Sequence, residues 1–199
     1  MSARRSPVPR RYLIQPLEAR LIPRPVLPVD PALIVGSALF QEGNFSEAAE
    51  IFERLSQSAQ EKDDPRGAYL VLQAARARIS AGQTDHGMDL IWQGLTELAS
   101  LQLWSRLIRV GAGMVASLKS QKLAKEGRQV QEWIDQSVPG STREFISMNR
   151  LDPATTPEEP IHCLSCGSLV FPGEVDWLVD GTAECVYCGN PIRRIPESL

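Results

Sequence analysis

The run Ala38-Leu-Phe-Gln-Glu-Gly43-Asn44-Phe45-Ser-Glu47-Ala48-Ala49-Glu-Ile-Phe52, introduced by Asp30-Pro31, decides the fold class of this chain. Asp30 offers a capping carboxylate, and Pro31 carries a pre-set φ at the first helical position, so a helix is expected from Ala32 to Glu42. Gly43 supplies the break. Asn44 then caps a second helix, with Glu47 three residues on and able to reach back as in a capping box. Phe45, Ala48, Ala49, Phe52 and Leu55 recur at three- and four-residue spacing, which gathers them on one apolar face. Two antiparallel helices with a tight turn are expected.

Working outward, a second Asp-Pro pair stands at Asp64-Pro65, 34 residues after the first. Ala74, Ala75 and Gly82 repeat the small residues and the turn, and Gly87, Ile91 and Gly94 take the places that Ala48, Phe52 and Leu55 hold in the first unit. The turn glycines Gly43 and Gly82 are 39 apart, so one helix near residues 56–80 must run about a turn longer than a strict repeat allows. A third pair fits Leu103–Leu118 and Leu123–Ile134. A fixed period in this range is the mark of stacked helical hairpins.

These residues resemble the tetratricopeptide repeat family, in the order of turn glycine, aromatic, small alanine and later aromatic, with Gly36 where the two helices cross. The resemblance covers about half the chain and is strongest in the first unit; an irregular helical bundle is the alternative. It implies two to three helical hairpins over residues 32–137. In that family the first helix of each repeat lines a concave groove for extended peptides. Carried over by position, the groove would present Leu33, Ser37, Phe40, Tyr69, Leu72 and Arg76 to a protein partner. A compact stack without a usable groove is the competing expectation.

All four cysteines of the chain lie near its C-terminal end, as Cys163-Leu-Ser-Cys166-Gly167 and Cys185-Val-Tyr-Cys188-Gly189. Two Cys-x2-Cys pairs at this separation suit one tetrahedral ion held by four thiolates, and Zn2+ is the expected metal. Iron bound as in rubredoxins is the alternative, although that family has a longer segment between its knuckles. Between the pairs, Val175, Trp177 and Val179 alternate with Asp176 and Leu178. An antiparallel hairpin turning at Asp180-Gly181 is therefore expected, similar to a zinc ribbon over residues 161–199. A segment of about 40 residues cannot bury enough surface alone, so the ion is expected to stabilise its fold. Four thiolates also close the coordination sphere, which favours a structural role. His162 adjoins Cys163 and reads as a bystander.

Residues 1–31 hold six arginines against Glu18 and Asp30, together with seven prolines, whereas residues 161–199 carry a balance of −3. Prolines at that density leave no regular element, so residues 1–31 read as an extended Pro/Arg-rich arm. Its apolar residues, among them Tyr12, Leu13 and Leu17, allow it to dock or to remain a disordered extension. Residues 138–160, rich in proline and acid, read as a linker that lets the flanking domains move, with a possible short helix around Thr142–Met148. No apolar run approaches the ~20 residues of a membrane span, and prolines interrupt the N-terminus where a leader would need an apolar stretch. With thiolates in place of disulfides, a cytoplasmic location is expected.

No catalytic constellation stands out. His86 reads as an exposed residue without an acidic partner; Gly111-Ala-Gly113 reads as close helix packing; Trp92, Trp104 and Trp133 read as core. The function expected is a non-enzymatic scaffold or adaptor, its helices gripping a protein and its ribbon giving a second contact surface. One alternative is a nucleic-acid- or ribosome-associated factor using Arg4, Arg5, Arg10 and Arg11, disfavoured by the acidic ribbon. A second is a self-assembling subunit that uses the arm.

Overall fold

The computed structural model describes residues 26–140, 160–178 and 181–193. Among them six helices come first: α1 Pro31–Gln41, α2 Phe45–Gln60, α3 Gly67–Ser80, α4 Thr84–Ser100, α5 Trp104–Ser120 and α6 Ala124–Ser137. Four short strands follow, β1 Ile161–His162, β2 Leu169–Val170, β3 Thr182–Glu184 and β4 Pro191–Arg193, with a 3-10 turn at Pro172–Glu174. The chain is thus mostly helical, with small antiparallel strand pairs near its C-terminus. Residues 1–25 of the expected arm and 141–159 of the expected linker, including its short helix, lie outside the described residues.

Local chemistry accounts for the first hairpin. Asp30 Oδ1 accepts the Ala32 N–H at 2.9 Å, and Gly43 ends the pair's first helix at φ +86°, where a Cβ would be strained. Asn44 stands at the N-cap of α2, but its side chain turns to Glu42 and makes no capping bond, so the capping box does not form. A Cβ on Gly36 would meet Ile51 Cγ2 at 3.0 Å and Phe52 Cε1 at 3.1 Å, so the glycine allows α1 and α2 to cross closely.

The second Asp-Pro pair is used differently. Helix α3 begins at Gly67, after Pro65, and the Asp64 carboxylate accepts from the Arg66 backbone N–H at 3.0 Å and from Arg66 Nε at 2.9 Å. The third hairpin has no turn glycine: Lys122 takes the left-handed position at φ +65° that Gly43 and Gly82 occupy in the other two.

Neighbouring helices pack in chain order, and α3 sits at the centre. Every residue from Gly67 to Ala77 is buried, so this helix has no solvent face. Phe52, Leu72, Ile91, Leu95, Leu107 and Met114 fill the core between the hairpins. Each such side chain contributes roughly 1.5–3 kcal/mol by leaving water. At the far end, α6 turns Lys125, Arg128, Gln129, Gln131 and Glu132 outward. Among the described residues no helix is long and apolar enough to cross a membrane.

The strands depart from expectation. β1 pairs with β2, Ile161 opposite Val170, and β3 pairs with β4, Ala183 opposite Ile192; the order is two separate antiparallel pairs. A strand was expected over residues 175–179; residues 175–178 form none, and Val179 and Asp180 lie outside the described residues. Their alternating burial is present, with Val175 and Trp177 inside, yet Pro172 lacks a ladder donor and its carbonyl accepts the Trp177 indole N–H at 2.9 Å. The segment turns back on itself, and Leu178 closes a turn to Thr182 at 2.7 Å.

Candidate metal centre and the helical face it covers

Each cysteine pair builds the same turn. The Gly167 N–H donates to the Cys163 carbonyl at 2.7 Å, and the Gly189 N–H to the Cys185 carbonyl at 2.8 Å. The first cysteine of each pair donates onward, Cys163 to Ser168 O at 3.0 Å and Cys185 to Asn190 O at 2.9 Å. Both glycines have φ near +75°, at +75° and +77°, the region open to glycine at little cost. β1 and β2 extend the first turn, and β3 and β4 the second.

The four sulfurs converge. Cys163 Sγ lies 3.7 Å from Cys188 Sγ, Cys166 Sγ lies 3.8 Å from Cys185 Sγ, and all four fall within 4.8 Å of one another. No disulfide joins them, and all four residues are buried. A tetrahedral ion with metal–sulfur bonds of about 2.3 Å places its sulfurs about 3.8 Å apart. The four expected ligands therefore fit a metal ion as donors and by spacing. A four-thiolate set leaves no coordination position for water or substrate.

This module rests on the odd-numbered helices. On α1, Ser37 Oγ bonds Ser168 Oγ at 2.8 Å, and Gln41 Nε2 donates to Gly167 O at 2.7 Å. On α3, Arg76 pairs with Glu174, donates to Tyr187 Oη at 2.9 Å, and places its guanidinium 4.6 Å from the centre of the Phe171 ring. Tyr187 Oη in turn donates to Gln73 Oε1 at 3.0 Å. On α5, Arg109 pairs with Asp176 at 2.7 Å, and Gly113 leaves room for Glu174, since a Cβ there would come within 2.7 Å of the carboxylate. Leu27, ahead of α1, exchanges both backbone groups with the Asn190 amide at 2.6 and 3.0 Å.

Burial sets the electrostatics. The side chains of Arg76 and Glu174 are 4% and 1% exposed. Burial works against the charged guanidinium, but Glu174 and Tyr187 outweigh it and hold Arg76 above the usual arginine value. Burial likewise pushes the Tyr187 phenol up, so it stays neutral and can both accept from Arg76 and donate to Gln73. Tyr69 is also raised by burial, and its Oη makes no hydrogen bond of good geometry. At the periphery, the hydrogen bond from Arg66 holds Asp64 below the usual carboxylate range.

The residues assigned to the groove are placed as follows. Ser37 and Arg76 touch the module directly. Tyr69 lines a cavity at the junction, together with Arg66, Arg106, Asp176, Leu178 and Val186. Leu33 is buried in the core, and Leu72 is buried against Gly94 of α4. Phe40 is half-buried, edge-on to Phe45 at 5.2 Å.

Sequence reasoning passed over Gln73, Glu174, Tyr187 and Asn190, which make the junction. The acidic balance of the module was the one available signal, because an acidic surface meets arginines on α3 and α5. Other readings are modified too. His86 Nε2 does have an acidic neighbour, Glu53 at 3.7 Å. His162 Nδ1 lies 3.3 Å from Gly167 O and is not among the converging ligands. Gly111 lies against Ile134 of α6, while Gly113 serves the module. Trp92 and Trp133 are half-buried, with ring centres 6.1 Å apart.

No protein-family model, no curated protein and no solved structure matches the chain.

Proposed function

We propose that this protein is a non-enzymatic interaction scaffold, in which tetratricopeptide-like hairpins hold a polypeptide and a zinc ribbon acts as a structural clip. The supporting observation is the side-chain network between the odd-numbered helices and the cysteine module, centred on Arg76, Glu174, Gln73 and Tyr187. It is the kind of surface by which helices read a polypeptide: a buried charge pair, an arginine on a ring, and a side chain bonding a backbone carbonyl. Zn2+ is the metal proposed, because four thiolates in a tetrahedron match its preferences and a closed sphere assigns it folding rather than catalysis.

The experiment is affinity purification of the full-length protein at native abundance, followed by reconstitution of any copurifying complex from purified components. A stoichiometric protein partner is expected. A protein that stays monomeric and reconstitutes with nothing removes the proposal. Nucleic-acid binding is the competing reading; it predicts association that falls steeply between low and physiological salt.

A further inference from the structure

Resting on that interaction role, we infer that the face formed by α1, α3 and α5 is a receptor for an acidic, aromatic polypeptide segment, at present filled by residues 168–178 of the chain itself. Loss of the bound metal vacates it.

Charge is the first argument. The face brings together Arg66, Arg76, Arg106 and Arg109, and the module answers with Glu174 on Arg76 and Asp176 on Arg109. Arg76 is buried in the middle of a helix, and its carboxylate comes from the module, 98 residues away. A guanidinium at such a position selects for a carboxylate and, through Phe171, for an aromatic ring beside it.

Fit is the second. The module leaves a cavity of about 230 Å³ against this face, next to the buried Tyr69 hydroxyl. Arg106, exposed at the edge of the same space, lies beside the Tyr69 hydroxyl and works against the rise in its pKa. The space opens to solvent at Arg106, so a segment carrying one more acidic side chain than residues 168–178 has room beside it.

Dependence on the metal is the third. The residues that hold the face, Ser168, Phe171, Glu174 and Tyr187, lie within or between the two cysteine turns. A module this small cannot fold without its ion. When a chelator takes the metal, the thiolates take up protons from water, the turns open and the module loses its grip. The helices keep contacts of their own, Gly94 of α4 against Leu72 of α3 and Gly111 of α5 against Ile134 of α6.

The test uses the full chain, metal-loaded or stripped by chelation under reducing conditions, and a fluorescent peptide of residues Ser168–Leu178 read by anisotropy. The stripped protein binds this peptide at least about ten-fold tighter than the loaded protein. A peptide carrying Glu174→Gln and Asp176→Asn loses about ten-fold, the scale of a charge-assisted contact. Arg109→Gln in the protein weakens binding several-fold while circular dichroism shows the helices unchanged. Equal binding by both forms, indifference to the acidic residues, or loss of the helical signal on stripping overturns the inference. So does a preference of the stripped protein for mixed-sequence single-stranded RNA over the peptide. None of these outcomes touches a copurifying partner that uses another surface, so the scaffold reading stands or falls separately.

Discussion

Arg76 on α3 and Glu174 in the 3-10 turn form an ion pair from which water is excluded, between residues 98 positions apart in the chain. The pair joins the helical array to the cysteine module. Around it, Tyr187, Gln73 and Phe171 use most of what a guanidinium can offer. Arg76 Nε is left without a hydrogen bond, so the network is close to complete but not closed.

Breaking this pair from one side leaves the other charge buried and alone. Arg76→Met or Glu174→Gln is expected to cost about 3–5 kcal/mol of stability, the usual penalty for an orphaned buried ion. The double substitution Arg76→Met with Glu174→Leu is expected to cost much less than the sum, since both charges leave together. Urea denaturation of the three variants measures the coupling.

Metal content tests the sulfur geometry. Elemental analysis of the purified protein is expected to find one ion per chain, and Cys166→Ser to abolish tight binding. Chelation of the native protein is expected to expose Trp177, now buried, with a red-shifted emission as the module opens. A second ion per chain, or an emission indifferent to chelation, contradicts the single closed site.

Gly113 is a sensitive probe because it sits on α5, away from the sulfurs. Adding one methyl there places a carbon 2.7 Å from the Glu174 carboxylate oxygen, which is held by Arg76 and has little freedom to retreat. Gly113→Ala is expected to destabilise by roughly 1–3 kcal/mol despite its better helix propensity. Its thermal midpoint, compared with that of a helix-surface control, reads the difference.

Tyr69 carries the alkaline prediction. Burial raises its phenol above the ordinary value near 10, so the folded protein favours the neutral form. The stability this contributes is fully present below the unfolded pKa and is lost as pH rises through the folded one. Tyr69→Phe removes an unsatisfied hydroxyl, so it is expected to be neutral to slightly stabilising at pH 7 and to flatten the decline above about pH 10. Thermal midpoints of both proteins across that range check the sign.

Much of the architecture was legible because it is local. Asp30-Pro31, Gly43 and the spacing of Phe45, Ala48 and Phe52 act within a turn or two of helix, and the first hairpin follows from them. The third hairpin was faint because Lys122 accepts a left-handed conformation usually left to glycine, so the expected marker is missing. The strand expected at residues 175–178 failed for a related reason. Alternating burial arises wherever an extended segment has one side against a core, whether or not a neighbour supplies the hydrogen bonds.

The sequence by itself determined the helices, the four cysteines as one ligand set and the acidic character of the module, since each rests on spacing or composition. Tertiary structure alone decided what the odd-numbered helices face. Ser37, Arg76 and Tyr69 were read as waiting for a partner, and they lie against the chain's own module or the cavity at its edge. That outcome depends on pairing groups about a hundred residues apart, Arg76 with Glu174 and Gln73 with Tyr187, and on a missing side chain at Gly113 that lets them meet. No local pattern encodes such contacts. They follow from how packed helices and an acidic module satisfy one buried guanidinium.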